Sequence, residues 1–133
     1  MIAVDTSVLI NLFRGRSNPA VERLRTLSRE DVPFAIPDLC CMEILQGARD
    51  EREWQTLLQY LESQEVLSAR HPLRTHIDAA RIYFDCRRAG VTVRGPVDCL
   101  VAALVLEHDA ILLHDDRDYE AIATVRPLRM ICV

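Results

Sequence analysis

The chain contains no lysine: all sixteen of its positive side chains are arginine, set against twenty Asp and Glu for a formal net charge of −4. That absence excludes two chemistries. A Walker A loop needs its lysine on the phosphates, and a response-regulator receiver needs one opposite its acidic pocket. A net negative charge is also not the usual footprint of a nucleic-acid binder. Arginine forks suit phosphate, however, so the bias reads either as phosphate recognition or as genome composition. Zinc and thioredoxin chemistry lack support, because Cys40, Cys41, Cys86, Cys99 and Cys132 include no C-x-x-C pair. Cys99 and Cys132 lie in apolar segments, where a free thiol acts as a small hydrophobe. Long apolar runs are missing too: Val97–Leu106 carries Asp98 and falls short of the ~20 residues of a membrane span. The opening Met1-Ile2-Ala3-Val4-Asp5 has no positive leader region. The expectation is a cytoplasmic protein without a membrane segment.

What is present is ordinary globular composition, half apolar and 27% charged. A length of 133 residues fits one domain spanning 1–133, which would bury roughly 70% of its unfolded surface. Strand and helix signals alternate, which predicts an α/β fold with a mainly parallel sheet. Strands are expected at Ile2–Val4, Val32–Ile36, Glu65–Leu67, Ile111–His114 and Met130–Val133. Helices are expected over Val8–Phe13, Pro19–Arg29, Pro37 to Gly47, Asp50–Ser63, Leu73 to Gly90, from Gly95-Pro96 onward, and Tyr119–Ala123. Two faces stand out at helical spacing: Trp54, Leu57, Leu58 and Leu61, and then Leu73, Ile77, Ala80 and Phe84.

Most of the twenty carboxylates must be solvated, so the informative ones follow or interrupt buried segments. Asp5 comes directly after the first strand, where open α/β sheets place ligands. It reads as a ligand or as a turn residue, with Thr6 and Ser7 competing for the capping role. Glu43 interrupts the apolar helix Leu39–Leu45 and wants a cation or a partner such as arginine. Asp98 takes the third position of its helix, where it complements the dipole or points into a junction between elements. His114-Asp115-Asp116-Arg117-Asp118 follows another apolar strand; Asp115 reads as solvated, while Asp116 and Asp118 are positioned to turn inward.

Converging carboxylates need neutralisation. Two like charges ~4 Å apart at an effective dielectric of ~20 repel by roughly 4 kcal/mol. A hard cation with oxygen ligands, Mg²⁺ or Mn²⁺, removes the conflict and can activate water against a phosphodiester. A haloacid-dehalogenase phosphatase also begins with an Asp after its first strand, but Asp5-Thr6-Ser7 is not D-x-D and the lysine is missing.

The stretches I-A-V-D-T-S, E-I-L-Q-G and V-D-C-L-V-A-A-L-V-L-E-H-D-A-I-L-L-H-D-D-R-D-Y-E-A-I make the chain resemble the PIN domain, and within it the small VapC-type toxins of toxin–antitoxin pairs. The resemblance implies a three-layer α/β/α fold and four clustered acids: Asp5, Glu43, Asp98 and Asp116. Asp118 matches a further acid found in many members. Asp5 and Asp98 are the first metal ligands implied, completed by Asp116 and Asp118, and Ser7 stands where a hydroxyl supports the first acid. Tyr119 departs from the usual Phe while keeping an aromatic body.

The activity implied is a Mg²⁺- or Mn²⁺-dependent endoribonuclease cutting RNA with metal-activated water. A homodimer and a small cognate antitoxin are implied as well. Arg87, Arg88 and Arg94, just before Asp98, are the candidates for gripping RNA phosphate. The alternatives are a housekeeping PIN nuclease for RNA processing or DNA flaps, which the short chain disfavours, and a non-catalytic module that binds a partner through its acidic groove.

Overall fold

The computed structural model describes residues 1–131. Ile2–Val4 forms β1, with Ala3 and Val4 fully buried, as its unbroken apolar run requires. Thr6–Phe13 is α1, ended by Gly15 at φ +68, and Pro19–Arg29 is α2. The α2 N-terminus is fixed by Asn18, whose side chain accepts the Val21 N–H at 2.9 Å, and by Pro19 in the first turn. β2 is Phe34–Pro37, α3 is Asp38–Gln46, α4 is Glu51–Glu62 and β3 is Glu65–Leu67. The long helix α5 covers Pro72–Arg88, and α6 covers Pro96–Glu107. β4 is Ile111–Leu113 and α7 is Arg117–Ala123.

The four strands pair in parallel in the order β3-β2-β1-β4. Helices α1 to α4 pack in one chain of neighbours and α5 to α7 in another, giving the α/β fold with a parallel sheet read from the strand and helix signals and the three-layer arrangement that the resemblance implied. The order of strands matters for function. β1 is hydrogen-bonded to β2 on one side and to β4 on the other, so the chain departs in opposite directions from its centre. A crevice opens at such a point beyond the carboxyl ends of the strands, and Asp5 and the His114–Asp118 loop both lie there.

Several expected boundaries shift for physical reasons. Pro37 is the last residue of β2, in register with Leu67, and not the first of α3; a proline tolerates a strand end because no ladder donor is needed there. Helix α1 begins at Thr6, two residues before its apolar run, because Asp5 caps it. Of the last expected strand, Met130 makes a single parallel bridge to Leu112, while Cys132 and Val133 lie outside the described residues.

The largest difference concerns α5. Its expected apolar face is turned to solvent: Leu73 is 75%, Ile77 49% and Phe84 37% exposed. The buried face is Thr75, Ala79, Ile82 and Cys86, whose smaller side chains suit close packing against α6. Trp54 and Val97 also prove exposed, although Leu57, Leu61 and half of α6, Cys99 and Val101 to Val105, are core.

Candidate metal centre

The end of β1 and the end of β4 are stitched together by one serine. The Ser7 hydroxyl donates to Asp5 Oδ2 at 2.6 Å and accepts the Asp115 N–H at 2.9 Å. Asp5 Oδ2 also takes the Ser7 N–H at 3.0 Å, which makes Asp5 the N-cap of α1. The sequence suggested that Thr6 and Ser7 would relieve it of that role; they do not, because only the residue with extended backbone before the first turn can cap. Asp5 is buried, 4% exposed. Its Oδ1 accepts the Tyr119 hydroxyl at 2.6 Å and faces the Cys40 thiol at 3.7 Å.

Thr6 is the second connector. Its hydroxyl donates to Glu43 Oε1 at 2.8 Å, so Glu43 finds a hydroxyl partner in place of the arginine considered from sequence. Burial raises the Glu43 pKa; the Thr6 hydrogen bond opposes this and the charge of Asp5 adds to it.

The tightest group of acids lies beside Asp5. Asp98, on the first turn of α6, meets Asp116 and Asp118, each offering an oxygen within 4.8 Å of the others. Asp116 caps α7 by accepting the Asp118 N–H at 2.9 Å, and this turn aims both side chains inward. Asp118 is buried and Asp115 exposed, as the alternation in sequence suggested. Asp98 is pushed up to about 7, first by burial, then by the negative charges of Asp116 and Asp5, and by its contacts with Asp118. Burial and the neighbouring negative charges thus favour the protonated form of Asp98. Such a group is frustrated without a cation.

Among the three arginines singled out from sequence, only Arg94 hydrogen-bonds to these acids. Its Nη2 donates to Asp116 Oδ1 at 2.6 Å and its Nε to Asp118 Oδ2 at 3.2 Å. Arg87 and Arg88 sit at the end of α5, with guanidinium carbons 5.8 Å from the Tyr83 ring centre and 5.6 Å from that of Phe84.

Sequence reasoning did not find three supporting groups. Tyr119, fully buried, was read only as packing. Cys40 was given no role at the site, yet it faces Asp5; burial, and then the charge of Asp5, push its thiol pKa up, which keeps it in the unreactive thiol form. His114, 8% exposed, accepts the Asp116 N–H on Nδ1 at 3.1 Å and directs Nε2 toward Met130 Sδ at 3.1 Å. It shapes the loop and is not one of the clustered acids. A histidine after a strand carries no sequence signal for that role.

The donor set is thus three carboxylates with Asp5 and Glu43 adjacent, without sulfur or imidazole among the clustered ligands. All-oxygen donors fit a hard divalent cation such as Mg²⁺ or Mn²⁺ and not structural zinc.

Residues 2–125 match the PIN domain family. The chain is 38% identical to VapC ribonuclease Mb1587 of Mycobacterium bovis over 130 residues, 97% of this chain and 96% of that protein. Ribonuclease VapC51 of Mycobacterium tuberculosis is 32% identical over 124 residues, 92% of this chain and 85% of that one. Among solved structures, DNA-bound VapBC from Salmonella typhimurium superposes with a TM-score of 0.76 at 21% identity, covering 98% of this chain and 96% of that chain. At that identity the likeness speaks for the fold alone, while the relatives and the matched domain speak for descent. The chain belongs to the PIN-domain family, on its VapC branch.

Proposed function

We propose that this protein is a divalent-metal-dependent endoribonuclease, the toxin of a VapBC-type pair, and that residues 1–133 act as one nuclease domain. The observation that carries the reading is the meeting of Asp98, Asp116 and Asp118 within 4.8 Å beside buried Asp5. Asp98, Asp116 and Asp118 would hold the ion, with Asp5 completing the negative field and Glu43 positioned to act through water. A cation held there would supply water activation and neutralisation of the charge developing on the phosphodiester.

The chain's own residues do the positioning. Ser7 and Tyr119 fix both Asp5 oxygens, Thr6 fixes one oxygen of Glu43, and the α7 cap turns Asp116 and Asp118 inward. The relatives named ribonuclease support RNA as substrate. Solved VapBC toxin–antitoxin complexes of the same fold support a small cognate antitoxin as partner. The solvent-facing line Leu73, Ile77 and Phe84 on α5 supports pairing of two copies.

The test is cleavage of structured RNA by the purified chain in Mg²⁺, Mn²⁺ or EDTA, with Asp98→Asn beside wild type. Activity is expected with either metal, to vanish in EDTA, and to fall at least about 100-fold in the variant. Cutting that persists in EDTA would sink the metal-dependent reading.

A further inference from the structure

Arg94 lies between buried Val93 and Gly95, the N-cap of α6. Its main chain is tied to the acids: the Arg94 N–H donates to Asp118 Oδ2 at 3.2 Å. Its side chain then folds over the same acids, with Nε on Asp118 Oδ2 at 3.2 Å and Nη2 on Asp116 Oδ1 at 2.6 Å.

Each of these two oxygens therefore receives two donors. Asp118 Oδ2 takes the Arg94 N–H and Nε, and Asp116 Oδ1 takes Nη2 and the Asp118 N–H. A carboxylate oxygen so occupied has little left to offer a cation. A divalent ion among these acids meets the guanidinium twice, as a rival for lone pairs and as a like charge.

Among the described residues, the head of Arg94 makes no hydrogen bond or ion pair beyond Asp116 and Asp118. The side chain is 63% exposed, and Arg94, Gly95, Val97, Asp98, Asp116 and Asp118 line an open basin of about 360 Å³. The backbone anchor can hold while the guanidinium turns outward.

We propose that Arg94 is a displaceable counter-ion of the metal centre: it neutralises Asp116 and Asp118 while the site is empty, and an arriving divalent cation drives its guanidinium out into the basin. This rests on the metal-centre reading above and adds that the chain carries its own competitor for the metal. It also changes the role read from sequence. Arg94 becomes available to RNA phosphate only after the cation has released it, so metal loading and phosphate engagement are coupled through one side chain.

The test is Mn²⁺ titration of the metal-stripped full chain by calorimetry, comparing wild type with Arg94→Gln and Arg94→Lys. Losing two ion pairs in which only the arginine end is exposed is expected to tighten Mn²⁺ binding roughly threefold to tenfold in R94Q. Lysine keeps the charge but cannot bridge both acids, so R94K is expected between the two. A second readout is the Arg94 Nε–H resonance, protected in the metal-free chain and shifted to the solvent-exposed position on adding Mg²⁺.

Mn²⁺ affinity that is unchanged or weaker in R94Q, with wild-type binding intact, overturns the counter-ion role and leaves the metal centre standing. Absence of Mn²⁺ binding in both wild type and R94Q removes the metal centre itself, and the inference with it. Should R94Q not fold, the R94K titration decides by the same criterion.

Discussion

The hydroxyl of Tyr119 reaches Asp5 across 114 residues of sequence, and both groups are buried. Hydrogen bonds to charged groups contribute about 1.5–3 kcal/mol, and leaving a buried acceptor short of a donor costs a comparable amount. Tyr119→Phe keeps the ring, so urea unfolding should isolate the hydroxyl: a loss of about 1–3 kcal/mol is expected. A loss below about 0.5 kcal/mol would show that Asp5 does not depend on it. At this scale the acids were legible in the sequence, because each follows or interrupts a buried apolar run. Their partners were not. Nothing adjacent to Tyr119 in sequence signals a carboxylate at the other end of the chain. Three consecutive capping residues, Asp5, Thr6 and Ser7, likewise left open which one would cap. Arg94 was legible as a cation near the site, but its attachment to Asp116 and Asp118 depends on how the α6 and α7 N-termini meet.

Between elements, the α5–α6 pair shows how one buried hydroxyl fixes a helix packing. Thr75, 1% exposed, donates to Glu107 Oε1, while the Arg70 N–H donates to Glu107 Oε2 at 3.0 Å. Burial would raise the Glu107 pKa, but these donors, together with the charges of His108 and Arg70, outweigh it and hold it below 4.5. Thr75→Val preserves shape and removes the donor, so it should cost about 1–2 kcal/mol at neutral pH by chemical denaturation. A folded-state pKa that is depressed contributes stability present above the unfolded value and lost as pH falls through the folded one. The gap between T75V and wild type should therefore close below 4.5; a gap that stays constant into acid would show that Glu107 is not the partner that matters. Helix α5 also shows where periodicity ran out. It carries two apolar lines, and the one with larger residues, Leu73, Ile77 and Phe84, is the exposed one. Spacing identifies a helix but does not choose between faces when the buried one is built of Thr75, Ala79, Ile82 and Cys86.

At the scale of the whole molecule, the acidic centre ties stability to pH and, under the proposed function, to metal. Asp98 rises from 3.8 to about 7 in the folded chain, so the folded state holds a proton that the unfolded state releases. Glu43 is raised as well. A raised folded pKa contributes stability that is full below the unfolded value and lost as pH rises through the folded one. The unfolding temperature in EDTA should therefore fall as pH increases from about 5.5 to about 8, and Mn²⁺ should restore it mainly at the upper end. A metal-free chain equally stable at both pH values would contradict the placement of Asp98 among like charges.

The sheet order has a consequence in time as well as in space. β1 is the first strand made, yet its neighbour β4 lies at Ile111–Leu113, and the acids that complete the cluster come only at Asp116 and Asp118. A chain cut short before β4 leaves one side of β1 without its partner, and one cut between β4 and Asp116 lacks two of the three clustered acids. Synthesis must run to Asp118 before the three acids can come together. Under the proposed function this sets an order in time: the polypeptide acquires its metal-binding acids only near the end of its own synthesis.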